Sequence, residues 1–511
     1  MVRISSLLLF LLLSLSTQAR PITYWILLTD KQVTDKPALS PSALANRSSL
    51  QLPIDDTDRP VSATYLDKLT QLGVQINCRS RWFNAVSATL TPAQHHQVSQ
   101  LPFVREVRPI DPSITIASRS TGHIEQAKLA PVMSQIQAAA FATENLTGRF
   151  VQVGVVDAGF FGADSAAVLK PIAVRGGFRQ VRDYVNRPNT KNNLFRTLET
   201  MSDMHGTEVL AAIAGYDPVG NLQLGLGYDA TFYLARTDAG NREFRGEEDN
   251  WVQAIEWLDS LGVRLVNTSL GYAKGFSNPS ENYQPAQMDG HTSLISRAAQ
   301  LAADKKGMLI IVSAGNEGDD RSWRIISTPA DAEGVIAVGA TNSRLWNRIG
   351  YSSIGPETLA YLKPNVSCFS LYGTSLAAPV ITGFAACLMQ ANPKLTNRQV
   401  RTLIEKSSHL YPYGNNFVGY GVPQASRALA LLRGQELPET ARSINASGKV
   451  LTLPVDTAET LVSLFHKKDA THVLHQEAVK VSNGKITFRR SADVKQTTID
   501  LKTQVIEVMW E

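Results

Sequence analysis

Cysteine is almost missing from this chain: three thiols, Cys78, Cys368 and Cys387, in 511 residues. That excludes a disulfide scaffold, so a chain of this length is held by apolar burial. A single Cys368–Cys387 bridge and three buried free thiols both remain open, because spacing alone does not fix the geometry a bridge needs. No His/Cys group has zinc-ligand spacing, and no glycine-rich phosphate loop follows a strand. A strong charge of one sign is also lacking. The net charge is +5, and without a basic cluster that argues against nucleic acid as a partner. Beyond the first residues no run reads as a membrane span, so the mature protein is expected to be soluble and exported. What remains is ordinary globular composition, 43% hydrophobic and 19% charged, enough for two or three domains.

The N-terminus sets the compartment. Arg3 precedes the apolar run Leu7 to Leu15, and Thr17-Gln18-Ala19 supplies small residues where a signal peptidase cuts. Residues 1–19 read as a secretory signal peptide cleaved after Ala19, which implies a secreted protein, extracellular or periplasmic and cell-surface. An uncleaved anchor fits less well because the run is short for a bilayer.

Residues 20–118 then read as a small α+β unit. Ile22 to Thr29 is a strand, 32 to 60 a long irregular connection, and Tyr65 to Leu72 a helix. Strands at Val74–Ile76 and Phe83–Leu90, a short helix from Thr91-Pro92 and a strand at Phe103–Val107 complete a ferredoxin-like order. Residues 111 to 145 form a Ser/Thr/Gln/Ala-rich connection, a natural site of proteolysis, with a helix from about Ala130 to Ala142. Over 119–435 short apolar strands alternate with amphipathic helices. Strands are expected at Val151–Val156, Thr231–Arg236, Leu265–Ser269, Met308–Ser313 and Val335–Ala340. Helices are expected at Gly206–Ala214, Asn250–Leu261, Thr292–Lys305, Ala377–Gln390 and Asn397–Lys406. That alternation implies an α/β fold with a doubly wound, mainly parallel sheet whose ligands bind at the C-terminal strand ends. Residues 436–511 read as strands only, a small all-β domain.

Three polar residues fall where such a sheet does chemistry. Asp157 ends the first buried strand, His205 opens a helix in front of Gly206, and Ser375 lies in Gly373-Thr374-Ser375-Leu376-Ala377-Ala378-Pro379 at another helix entrance. Each alone has a plain structural reading, as a turn residue, a surface histidine or a helix cap. Together they are the parts needed to attack an amide. The carboxylate orients the imidazole, the imidazole takes the hydroxyl proton, and free N–H groups at a helix start favour the oxyanion. The chain order Asp, His, Ser on a parallel scaffold is the subtilisin order.

At these residues the sequence resembles the subtilase family of serine peptidases, over essentially all of 150 to 433. Asp157-Ala158-Gly159 is similar to the family's Asp-Ser/Thr-Gly, His205-Gly206-Thr207 to its His-Gly-Thr, and Gly373 to Pro379 to its Gly-Thr-Ser-Met-Ala-x-Pro. The resemblance implies a secreted serine endopeptidase with Asp157, His205 and Ser375 as its triad and Asn316, in Ser313-Ala314-Gly315-Asn316, as an oxyanion-hole donor. It implies a substrate-binding strand at Ser269-Leu270-Gly271, which would pair with an extended peptide, and an opposite pocket wall at Ser313, Ala314 and Gly315. It also makes 20–118 an inhibitory propeptide that acts as an intramolecular inhibitor until it is cut between about 108 and 125. Protein or peptide substrates are the partners implied. No cofactor is required and no catalytic metal is expected, while structural calcium is left open.

Ala158, Leu376 and Tyr372 depart from the usual Ser/Thr, Met and small residue, and the segment before the serine is short. They alter the rim of the cleft and leave the reactive groups in place. Glu247-Glu248-Asp249 is expected as the dipole-stabilising first turn of a helix. The rival reading is a catalytically silent binding protein of the same fold. A lipase elbow would need a second glycine where Ala377 stands.

Overall fold

The computed structural model describes residues 22–31, 36–110, 130–186, 194–240, 246–274 and 282–511. The signal peptide and most of the expected propeptide cut lie outside the described residues.

The first unit runs β1 (Ile22–Leu28), α1 (Pro41–Ser49), α2 (Ala63–Gln71), β2 (Gln75–Ser80), β3 (Ala85–Leu90), α3 (Pro92–Ser99) and β4 (Val104–Ile110). Its antiparallel sheet has the order β2-β3-β1-β4, the ferredoxin-like arrangement. Ile26, Leu28, Val86, Ala88 and Leu90 face Leu69 and Val98 across its core. Thr91 and Gln94 form a reciprocal capping box that starts α3. One expectation fails here. The 32–60 connection is not irregular throughout, because Ser40 caps Ala43 N–H at 3.2 Å and Pro41 opens α1.

The second unit follows as α4 (Ala130–Gln135), α5 (Ala139–Thr143), β5 (Gln152–Asp157), α6 (Lys170–Val174), β6 (Phe178–Asp183), α7 (His205–Ala214), a hairpin of β7 (Tyr216–Asp217) and β8 (Leu222–Gln223), and β9 (Thr231–Arg236). It continues through α8 (Gly246–Leu261), β10 (Leu265–Thr268), α9 (Leu294–Lys306), β11 (Leu309–Ser313), β12 (Ile336–Thr341), β13 (Val366–Phe369), α10 (Ala378–Ala391), α11 (Asn397–Ser407) and α12 (Ala425–Leu432). Seven parallel strands make one sheet in the order β13-β12-β11-β10-β5-β9-β6. Successive side chains serve opposite layers, as the pleat requires. Val153, Val155 and Leu265 pack with Leu210 and Phe384 of α7 and α10. Val156 and Val266 pack with Trp251 and Leu258 of α8.

The single helix expected at Ala130–Ala142 is two, broken where Gln137 takes φ +57°. β6, β13 and α12 were not foreseen, the first because its Arg-rich edge does not look buried. The Glu247–Asp249 run opens α8 as expected, and all three residues are buried there. Thr374–Ala391 is apolar and long enough to cross a membrane, contrary to expectation, yet 89% of it is buried as the core helix of this unit.

The C-terminal strands are β14 (Ala441–Ala446), β15 (Val450–Pro454), β16 (Leu461–Lys467), β17 (Val473–Lys480), β18 (Lys485–Arg489), β19 (Gln496–Asp500) and β20 (Val505–Trp510). A five-stranded sheet, β14-β20-β19-β16-β17, packs over the β15–β18 pair. β19 and β20 form an antiparallel hairpin turning at Lys502, φ +65°. All three cysteines are buried and none is in a disulfide. The Cys368 and Cys387 thiols face the Ala377 and Leu146 carbonyls, and burial pushes both pKa values well up.

Candidate active site

Asp157 is the last residue of β5, at the C-terminal edge of the sheet, and is wholly buried. Its Oδ1 accepts the Ala158 N–H at 2.8 Å and stands 2.6 Å from His205 Nδ1. A carboxylate on that side holds the proton on Nδ1 and leaves Nε2 as the acceptor. Nε2 is buried without a partner among the described residues. Burial pulls the imidazole pKa down, but the charge and hydrogen bond of Asp157, helped by Glu208 and Asp238, outweigh it. The net shift is upward from the ordinary value.

Two glycines bring β5 and α7 into contact. Gly206 N–H donates to Gly159 O at 2.9 Å. A Cβ on Gly206 would stand 2.4 Å from that same oxygen, and one on Gly159 would stand 2.5 Å from Asp203 Cα. Behind them Arg236, buried at the end of β9, donates from Nε to Ala158 O at 3.0 Å and pairs with Asp203 at 2.8 Å. Asp203 in turn accepts the Glu199 and Thr200 N–H groups at 2.8 and 2.9 Å. The pair is thus positioned by backbone contacts and a buried ion pair behind them.

Ser375 lies in a 3₁₀ turn, Thr374–Leu376, that leads into α10, with Pro379 in the helix's first turn. The expected helix entrance is therefore present, with the serine one turn ahead of the α-helix. Ser269, just past β10, donates its hydroxyl to Ser375 O at 2.8 Å and accepts from Asn267 Nδ2 at 3.0 Å. Asn316 is held from the other side, where its Oδ1 accepts the Thr374 N–H at 2.9 Å. Gly373 has φ +126°, and a Cβ there would stand 3.1 Å from Ser375 Oγ and 3.2 Å from Asn316 Nδ2. A hydroxyl and an amide N–H therefore flank one point that only glycine keeps open.

The proposed substrate segments lie on neighbouring strand ends. Ser269, Leu270 and Gly271 leave β10, and Tyr272 bonds Thr328 both ways at 2.8 and 3.1 Å. The Leu270 side chain is buried in the α8 layer, so this segment offers its backbone. Ser313 ends β11, Ala314 N–H donates to Val338 O at 2.9 Å, and Gly315 has φ +111°. The space beside Gly315 is taken by Glu317 Oε2 and Ser353 Oγ, each 2.8 Å from where a Cβ would be. Burial raises the Glu317 pKa against its bonds from Asn316 N–H and Ser353.

Asp238 was not anticipated. Its carboxyl is bonded by Thr237 and, at 3.1 Å, by the Tyr272 hydroxyl, and burial together with the charge of Asp157 pushes its pKa up to about 6. It stands two residues past β9, as Asp157 stands at the end of β5, and that strand-end position was the available signal.

A parallel sheet that gathers a carboxylate–imidazole pair, a serine and an amide donor at one edge is the framework of an amide-cleaving hydrolase. Residues 148–421 match the Peptidase S8 subtilase family, and residues 23–126 match the Peptidase S8 propeptide domain of Bacteroidota. The chain belongs to the subtilase family: it is a subtilisin-like serine peptidase, a hydrolase of peptide bonds, with a propeptide domain ahead of its catalytic sheet. Subtilisin NAT of Bacillus subtilis subsp. natto is 28% identical over 372 residues, 70% of this chain and 83% of its own. Subtilisin DY of Bacillus licheniformis is 29% identical over 285 residues, 53% of this chain and 89% of its own. Among solved structures, the MycP3 protease of the type VII (ESX-3) secretion system aligns with TM-score 0.44 and 19% identity, over 63% of this chain and 92% of that one.

Proposed function

We propose that this peptidase is a secreted endopeptidase made as a self-processing zymogen, with Ser375 as nucleophile, His205 as base and acid, Asp157 as its orienting partner and Asn316 as oxyanion donor. The observation that carries this is the 2.6 Å Asp157–His205 bond, which leaves Nε2 as a buried acceptor. Ser375 Oγ attacks the scissile carbonyl carbon while Nε2 takes its proton. The oxyanion is held by Asn316 Nδ2–H and the Ser375 N–H, and one such donor typically contributes about 3–4 kcal/mol. The imidazolium then gives its proton to the leaving amine, and water repeats the sequence on the acyl-enzyme. The substrate lies extended along Ser269 to Gly271, facing Ser313 to Gly315. Residues 1–19 direct export and are cleaved off after Ala19, and a cut between about 108 and 125 separates the propeptide.

Two measurements test this reading. A fluorophosphonate should label the mature protein at Ser375, and Ser375→Ala should abolish both the label and self-processing. A folded mature protein that takes no label would instead be a silent binding protein of this fold.

A further inference from the structure

Among the described residues the propeptide meets the catalytic unit at two places, one of them made by its sheet. At the sheet contact, the Glu256 carboxylate of α8 accepts from Ser80 Oγ at 2.5 Å, from Arg81 N–H at 2.9 Å and from Trp82 N–H at 3.3 Å. The second contact is made by the connection between β1 and α2, which crosses to the C-terminal ends of α8 and α9. Ser40 N–H donates to Ser260 O at 2.8 Å, and Asn46 Nδ2 to Gly262 O at 2.6 Å. Gly262 (φ +86°) and Gly307 (φ +64°) end the two helices. A Cβ on either would stand 2.8 Å from this strap, at Ala43 N and Leu52 Cδ1 respectively. These helix ends carry unpaired carbonyls and partial negative charge, and Arg47 Nη1 donates to Lys306 O there at 2.9 Å.

Beneath the strap the buried charges alternate across the boundary. Arg47 pairs with Asp259 at 2.6 Å, Arg81 with Asp259 at 2.7 Å, and Lys306 with Asp58 at 2.9 Å. Arg47 and Arg81 also reach Asp58, at 3.3 and 3.5 Å. All five side chains are nearly or wholly buried. Two propeptide arginines and one propeptide aspartate thus face one aspartate and one lysine of the catalytic unit. Among the described residues no strap residue bonds to Asp157, His205 or Ser375.

We propose that the ends of α8 and α9, with Asp259 and Lys306, form a docking site for the strap that is independent of the cleft and keeps the cut propeptide on the enzyme. Its partner is a capped helix carrying an arginine, followed by an aspartate turn. This rests on the propeptide reading above, and adds that emptying the cleft does not by itself release the inhibitor. A buried alternating network gives such docking its specificity, since removing one member strands its partner's charge inside the interface.

The test uses the full chain with Ser375→Ala and a recognition site for an unrelated protease inserted in 111–129, nicked after purification. Release of the propeptide is followed by gel filtration on dilution. The nicked parent should keep its propeptide. Asp259→Asn on the enzyme side and Arg47→Gln on the strap side should each weaken retention roughly 100-fold, with Arg47→Gln leaving the catalytic sequence intact in case Asp259→Asn folds poorly. Retention unchanged in both, with release caused by Glu256→Gln, would overturn the proposal, because the sheet contact alone would then hold. No step requires activity, so a chain that never cuts itself would count against the zymogen reading and not against the docking site.

Discussion

His205 sits between two opposing effects. Burial favours its neutral form, while the Asp157 carboxylate 2.6 Å away favours the cation, and the carboxylate prevails. In the proposed role of base His205 acts neutral, so a raised pKa moves the acid limb of activity up. Below that limb kcat/KM should fall tenfold per pH unit, with its midpoint above the 6.5 of a free imidazole. Asp157→Asn should lower the midpoint while cutting kcat by about 10⁴. A pH–rate profile of both proteins on one peptide decides this, and a parent midpoint at or below the free value would refute it. Asp157, His205, Ser375 and Asn316 were legible as candidates, because each stands in a short motif beside a strand end or helix start. Asp238 and Arg236 were passed over, since what makes them matter is burial beside Asp157 and Asp203, a tertiary fact; of the two, only Asp238 left a trace in the sequence, its place just past a strand end.

At the scale of elements, the site depends on how closely β5 and α7 approach. Gly206→Ala would drive a methyl carbon to 2.4 Å from Gly159 O, against backbone that no rotamer change can clear. The helix must then shift, and it carries His205. Such overpacking costs about 1–3 kcal/mol, and a 1 Å displacement of a catalytic group costs about 100-fold in rate. The expected result is a folded protein with a lower Tm and about 100-fold lower kcat/KM, read by calorimetry and steady-state kinetics; full activity would show that the contact does not position the histidine. The same scale shows where sequence reading stops. α7, α8, α9 and α11 were visible because each has a clear apolar period or cap. β13 is four residues, Val-Ser-Cys-Phe, recognisable only once paired to β12. β6 is an edge strand whose exposed Arg179 and Arg182 hide its pairing. α1 was hidden by the Pro/Ser/Asp composition of the strap, although Ser40-Pro41 is itself a helix-start signal.

Across the whole molecule, the C-terminal strands are part of the catalytic unit's cover. Leu410, Phe417 and Val418 of the catalytic unit share one buried cluster with Phe465, Val473 and Val505. His409 takes the Val422 N–H on Nδ1 at 2.8 Å, so its Nε2–H points to Asp500 at 3.1 Å, and both side chains are buried. Asn416 N–H donates to Thr471 O at 2.8 Å, and Gln476 bonds both ways to the Arg348 backbone. The segment held this way, 408–423, lies directly against β13, where Gly421 O accepts the Ser367 N–H at 2.9 Å. Removing the β strands after Pro438 would expose three large apolar side chains, each worth about 1.5–3 kcal/mol of burial, and leave His409 without its carboxylate. Among the described residues the sheet, the Asp157–His205 pair and the Ser375 turn make no direct bond to these strands, so the chemistry itself should survive in whatever fraction stays folded. The truncated chain is therefore expected to melt well below the full chain by calorimetry while titrating its folded fraction with a fluorophosphonate at Ser375. An unchanged Tm would mean that the C-terminal sheet is a passenger on the fold.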